Sequence, residues 1–170
     1  MLLEKPKAPT LTAVTLAAIA FAAGIYAVLG FVNKALLPYS IIDLEFASTA
    51  ARLAEMVGAW GQAGVDAARR SLALDFAFIP CYVLAFSGLT LIVTRAASAA
   101  WQRIGLTVIW LPVIAGLLDV LENVALLISL PATGAGWLLV ASISAGLKFT
   151  LLGVTLLFVI AALIRKVFDR

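Results

Sequence analysis

The chain has 170 residues, 64% of them hydrophobic and 12% charged, with a formal net charge of +3. A water-soluble domain carries roughly 45–50% apolar and about 25% charged residues, so this composition excludes an ordinary soluble fold. Histidine is absent and Cys81 is the one cysteine, which removes His-ligated zinc or haem, a Ser-His-Asp triad, a Cys/His pair and an internal disulfide. No metal and no cofactor is expected.

The basic residues stand singly or in pairs beside apolar runs, without the basic stripe and aromatic platform that a nucleic-acid partner needs. The chain holds no GxGxxG, no Walker-type Gly-Lys-Ser/Thr and no HExxH string. The composition therefore predicts an all-α integral membrane protein, residues 1–170 forming one membrane domain.

A spanning helix takes roughly 20 mainly apolar residues, and four stretches qualify, at 11–32, 71–94, 104–130 and 137–164. The first follows Lys5 and Lys7, but its apolar run is too long for a cleaved signal peptide and reads as a span. Ala23 and Ala27 lie at small-xxx-small spacing beside Gly24, which predicts close approach of another helix there.

Between the first two spans, Ile41, Leu44, Leu53, Met56, Val57 and Trp60 recur near three- and four-residue spacing among Asp43, Glu45, Arg52 and Glu55. That pattern predicts an amphipathic outer helix over 40–58, which either lies in the lipid interface or covers the bundle mouth. Gly58, Gly61 and Gly64 are expected to loosen the chain before it re-enters.

Lys5, Lys7, Arg95, Arg103, Arg165, Lys166 and Arg170 gather at one side of the spans, whereas the 131–136 turn carries no basic residue. The positive-inside rule then puts both termini in the cytoplasm. The outer loop 33–70 holds Lys34, Arg52, Arg69 and Arg70, accompanied by Asp43, Glu45, Glu55 and Asp66, and is long. Trp101 and Trp137 sit at opposite span ends, as interfacial anchors do.

Ionisable residues inside a span cost on the order of 2.5–3.5 kcal/mol each and normally face a bundle interior or a watery cavity. Here they are Asp75 in the second span, Asp119 and Glu122 in the third and Lys148 in the fourth, with Asn123 beside Glu122. Asp119, Glu122 and Asn123 share one helical face through i, i+3 and i+4 spacing, and Ser144, Lys148 and Thr155 share another.

The PATGAG turn sets their depth: Asp119 and Lys148 are each about 14.5 residues from its centre, which predicts an ion pair across an antiparallel hairpin. The same arithmetic sets Asn123 against Ser144. Any kink at Pro112 shifts depth only on the cytoplasmic side of the pair.

Asp75 enters near the outer end of the second span, at the depth of Glu122 and Asn123, with Tyr82 on the same face and Pro80 freeing the carbonyl of Phe76. A polar pocket open toward the outer leaflet is predicted, formed by Asp75, Tyr82, Asp119, Glu122, Asn123, Ser144 and Lys148. With Lys148 paired to one carboxylate, the surplus acids must hold a proton or gain a cation.

The stretches AWGQAGVDAARRSLALDFAFIPCY and LLDVLENVALL, with a lysine in the last span, resemble a group of uncharacterised small bacterial four-span membrane proteins. The resemblance carries an Asp-x-x-Glu-Asn motif in the third span and implies a bacterial inner membrane, without a reaction or a ligand.

Three functions fit such a chain. The pocket can bind or transport a lipid or small amphiphile with proton coupling, alone or in a homo-oligomer. The chain can be an accessory or scaffold subunit of a membrane complex whose polar cluster only fixes helix register. Or it can be a membrane enzyme acting on a lipid-like substrate, with Glu122 or Asp75 as acid, Asp119 as base and Lys148 stabilising an anion. The enzyme reading is the weaker, because Cys81 beside Pro80 reads as a packing residue and no other nucleophile stands out.

Overall fold

A computed structural model describes residues 2–130 and 135–168. All regular structure in the described residues is helical: α1 (Ala8–Val32), a 3-10 turn (Asn33–Leu36), α2 (Ile41–Glu45), α3 (Ala50–Arg95), α4 (Ala99–Val108), α5 (Leu111–Ser129) and α6 (Ala135–Phe168). Four helical segments, Ala8–Leu36, Ala50–Arg95, Ala99–Ser129 and Gly136–Lys166, are long and apolar enough to cross a membrane, matching the four stretches expected. Residues 131–134 of the turn used to set depth lie outside the described residues.

The third span is divided where the sequence suggested one helix. The helix is interrupted at Ile109 and Trp110, where Pro112 at the second position of α5 has no N–H to offer the Val108 carbonyl. The neighbouring Ile109 carbonyl accepts the hydroxyl of Ser87 at 3.2 Å, which keeps a backbone oxygen of the interruption satisfied inside an apolar bundle.

The outer segment departs more from expectation. The stretch 40–58 is not one helix but the five-residue α2 followed by the first turns of α3. Ser40 and Asp43 start α2 with a reciprocal capping box, the Ser40 amide and hydroxyl donating to Asp43 Oδ2 at 2.8 and 2.6 Å. These bonds hold the Asp43 carboxyl below its usual range. Thr49 then caps α3 by accepting the Arg52 amide at 3.2 Å.

Of the three glycines expected to loosen the chain, only Gly61 breaks the helix, with φ 59° and ψ −169°. Gly64 has the opposite effect: a Cβ there would stand 2.3 Å from the Cβ of Trp60. Its bare backbone leaves room for that ring, whose indole N–H donates to the Leu36 carbonyl.

The apolar side of the outer segment is turned inward. Leu44, Leu53, Met56 and Trp60 are buried in one cluster with Leu126 and Leu130 of the α5 end and Leu138 of α6. Ile42 and Phe46 of the same segment remain exposed.

α3 is the central helix, packed against α1 and against both helices of the α5–α6 hairpin. The close approach of α1 is not at Ala23, Gly24 and Ala27, since nothing lies within 4 Å of a Cβ placed on Gly24 and both alanines are exposed. It is at Gly88 of α3, where an added Cβ would be 2.1 Å from Thr15 Oγ1. A small residue aids packing only where a partner helix lies against it. Gly88→Ala should therefore lower the stability of the solubilised protein by about 1–3 kcal/mol, read from its unfolding midpoint, and Thr15→Ala in the same chain should restore part of the loss.

Candidate functional site

The site begins with one cation. Lys148 lies midway along α6 on the face that meets α5, and its side chain is only 6% exposed. An ammonium there has lost its water, so anions must replace it. Asp119 and Glu122, one turn apart on α5, do so: Lys148 Nζ donates to Asp119 Oδ1 at 2.7 Å and to Glu122 Oε1 at 2.9 Å, with Glu122 Oε2 also within 2.8 Å. The ion pair expected between Asp119 and Lys148 is present. Glu122 joins it because i, i+3 spacing turns both carboxylates to one side.

The hydrogen bonds continue into α3. Tyr82 donates its hydroxyl to Asp119 Oδ2 at 2.8 Å, and Asn123 donates its amide to Asp75 Oδ2 at 2.6 Å. Asp75 thus sits at the depth of Asn123, as its place in the second span implied. The expected partner of Asn123 was Ser144, and here the structure differs. Ser144 is buried, but Asn123 turns to α3 because the Asp75 carboxylate is the stronger acceptor for an amide N–H. Of the seven predicted residues, six take part in these hydrogen bonds, Tyr82, Asp119, Glu122 and Lys148 in one group and Asp75 with Asn123 in a second beside it; Ser144 is buried without joining either.

One member was missed from sequence. Glu45, the last residue of α2, reaches in from the outer segment to place Oε2 3.4 Å from Lys148 Nζ, with its side chain 12% exposed. A signal existed in the spacing, since Glu45 is four residues after Ile41 and adjoins Leu44, which puts it on the apolar side of its helix. Outside the four spans, Glu45 is pushed up from 4.5 to about 7 by burial, with the charges of Asp119 and Asp75 adding to the effect and Lys148 opposing it.

A cavity of about 480 Å³ adjoins the network, within the roughly 300–1,000 Å³ common for small-molecule sites. Asp75, Asp119, Asn123 and Lys148 line one side, and α2 contributes Glu45. Tyr26, Leu29, Phe78, Phe86 and Leu152 make much of the remainder apolar. Glu122, fully buried behind Lys148, does not line it.

Chemically the arrangement can hold and pass protons among adjacent oxygens. The Cys81 thiol donates to the Ala77 carbonyl of its own helix at 3.3 Å. Among the described residues no group of three His, Cys, Asp or Glu side chains is arranged to hold a metal ion.

Two outcomes follow. Lys148→Met leaves buried carboxylates without their cation and should destabilise the fold by about 3–5 kcal/mol; adding Glu122→Gln removes one anion and should recover part of the loss in the same unfolding measurement. For Glu45, the folded chain keeps a proton between about pH 4.5 and 7 that the unfolded chain has released. Its contribution should therefore fall as pH rises through that window, and Glu45→Gln should flatten that part of the stability curve. Compared with protein-family models, curated proteins and solved structures, the chain matches none.

Proposed function

We propose that this protein binds a lipid or small amphiphile in the cavity beside Lys148, and that a carboxylate of the cluster exchanges a proton as the ligand enters or leaves. The observation that carries the reading is the composition of one chamber. It combines buried ionisable groups along one side with an apolar remainder, the two requirements of a molecule with a polar head and a hydrocarbon body. A register clasp needs the ion pairs alone and has no use for a cavity of about 480 Å³.

In this reading the chain is a multi-pass protein of a bacterial inner membrane, related to the small four-span proteins that its Asp-x-x-Glu-Asn stretch resembles. Both termini face the cytoplasm on the charge distribution of Lys5, Lys7, Arg95, Arg103, Arg165 and Lys166. The cavity then opens toward the outer leaflet, with α2 at its outer rim. Transport by so small a bundle calls for a homo-oligomer or a larger membrane complex.

A second reading has its own support. Lys148 ties α2, α5 and α6 together through Glu45, Asp119 and Glu122, which is what an accessory subunit with a purely structural cluster would need. The two are separated by filling the cavity without touching a charge. Leu152→Trp should leave the folded yield unchanged yet abolish an amphiphile retained by the wild-type protein in mild detergent, measured by native mass spectrometry with lipid extraction. If wild type and variant retain the same molecules, or none, the cluster is structural.

A further inference from the structure

We infer that the ligand of this cavity is a hydrophobic amine, an ammonium on an apolar body without a phosphate, received on the Asp75 side of the cluster. The inference rests on the ligand-binding reading of the same cavity and adds the charge and class of what it takes.

Donors come first, because an anionic headgroup would need them. Lys148 has three N–H bonds, and Asp119, Glu122 and Glu45 stand around its Nζ within 3.4 Å. The hydroxyl of Tyr82 is given to Asp119, the hydroxyl of Ser40 to Asp43, and the Asn123 amide has one N–H on Asp75. A phosphate or carboxylate entering here would find the one nearby cation already surrounded by carboxylates, with only neutral donors such as the Ser71 hydroxyl and the Asn33 amide to meet it.

Acceptors are in surplus. Three carboxylates, Glu45, Asp119 and Glu122, stand around one ammonium, and a fourth, Asp75, lines the same cavity. Among the described residues Asp75 forms no ion pair, and its one hydrogen bond comes from a neutral amide. One buried oxygen of a residue lining the cavity, Asn33 Oδ1, accepts no hydrogen bond, and Glu45 Oε2 has only the shared Lys148 ammonium at 3.4 Å. Unmatched acceptors in a low-dielectric chamber favour a ligand that brings hydrogen-bond donors and positive charge.

The walls point the same way. Tyr26, Phe78, Tyr82, Phe86 and Phe149 line the same cavity as the carboxylates, a combination that suits ammonium ions because ring faces are electronegative. The Lys148 ammonium already lies 5.0 Å from the Phe149 ring centre. Leu29 and Leu152 complete a surface suited to an alkyl or aryl body.

The test uses the full chain in phosphatidylcholine nanodiscs, with empty nanodiscs as the partition control, and three probes of equal chain length: decylammonium, decanol and decanoate. Decylammonium should bind saturably and at least about tenfold more tightly than the other two. Asp75→Asn, which retains an oxygen for Asn123, should weaken decylammonium by about tenfold or more while leaving decanol unchanged. The probe ranking in the wild type needs no variant, so it stands even if Asp75→Asn fails to fold.

Decanol or decanoate binding as tightly as decylammonium would overturn the charge assignment while leaving the amphiphile reading in place. Binding of none of the three would overturn both. Nanodiscs containing phosphatidylethanolamine separate the two sources of an ammonium. Failure of that lipid to displace decylammonium supports a phosphate-free amine, and displacement by it would overturn that choice in favour of a lipid headgroup.

Discussion

An ammonium placed midway along an apolar helix has to be met by anions, and much of this molecule is arranged around that requirement. Lys148 draws Asp119 and Glu122 from α5 and Glu45 from α2. Through the second oxygen of Asp119 the network reaches Tyr82 on α3, and Asn123 extends the same α5 face to Asp75. Desolvation of such charges is repaid only by close geometry and further hydrogen bonds. The contacts at 2.6–2.9 Å supply both, so the depth at which three long helices meet is tied to one side chain.

The outer segment is bound to the bundle by two kinds of interaction at once. Leu44 and Met56 are fully buried against Leu126, Leu130 and Leu138 at one end of the bundle, while Ile42 and Phe46 of the same segment stay exposed. Its one inward carboxylate, Glu45, is carried on a helix of five residues with short connections on each side. The hydrophobic contacts are indifferent to pH, whereas the Glu45 contact depends on a group pushed up to about 7. Residues of this segment also line the cavity, so its attachment and the access to the polar groups are physically linked.

The same geometry explains why the site has the sign it has. One cation surrounded by carboxylates leaves a residual demand for positive charge, and the apolar remainder of the chamber raises that demand by lowering the local dielectric. A structural clasp and a ligand site therefore share their residues here; they differ in whether the space beside them is used. α1 packs on α3 without a comparable contact to α6, and the cavity is lined by Tyr26 and Leu29 of α1 and by Leu152 of α6.

The four spans, the membrane setting they suit and the shared face of Asp119, Glu122 and Asn123 were legible in the sequence. They depend on local quantities: run length, apolar content and a 3.6-residue period. The Asp119–Lys148 pair was legible as well, since an antiparallel hairpin with equal rise fixes relative depth. What only the tertiary structure decided are contacts between segments whose relative position no local period encodes. Glu45 enters the cluster, Asn123 turns to Asp75 and away from Ser144, and α1 meets α3 at Gly88 instead of beside Gly24. Each is settled by competition among partners for one position in space, and that competition exists only once the helices have packed.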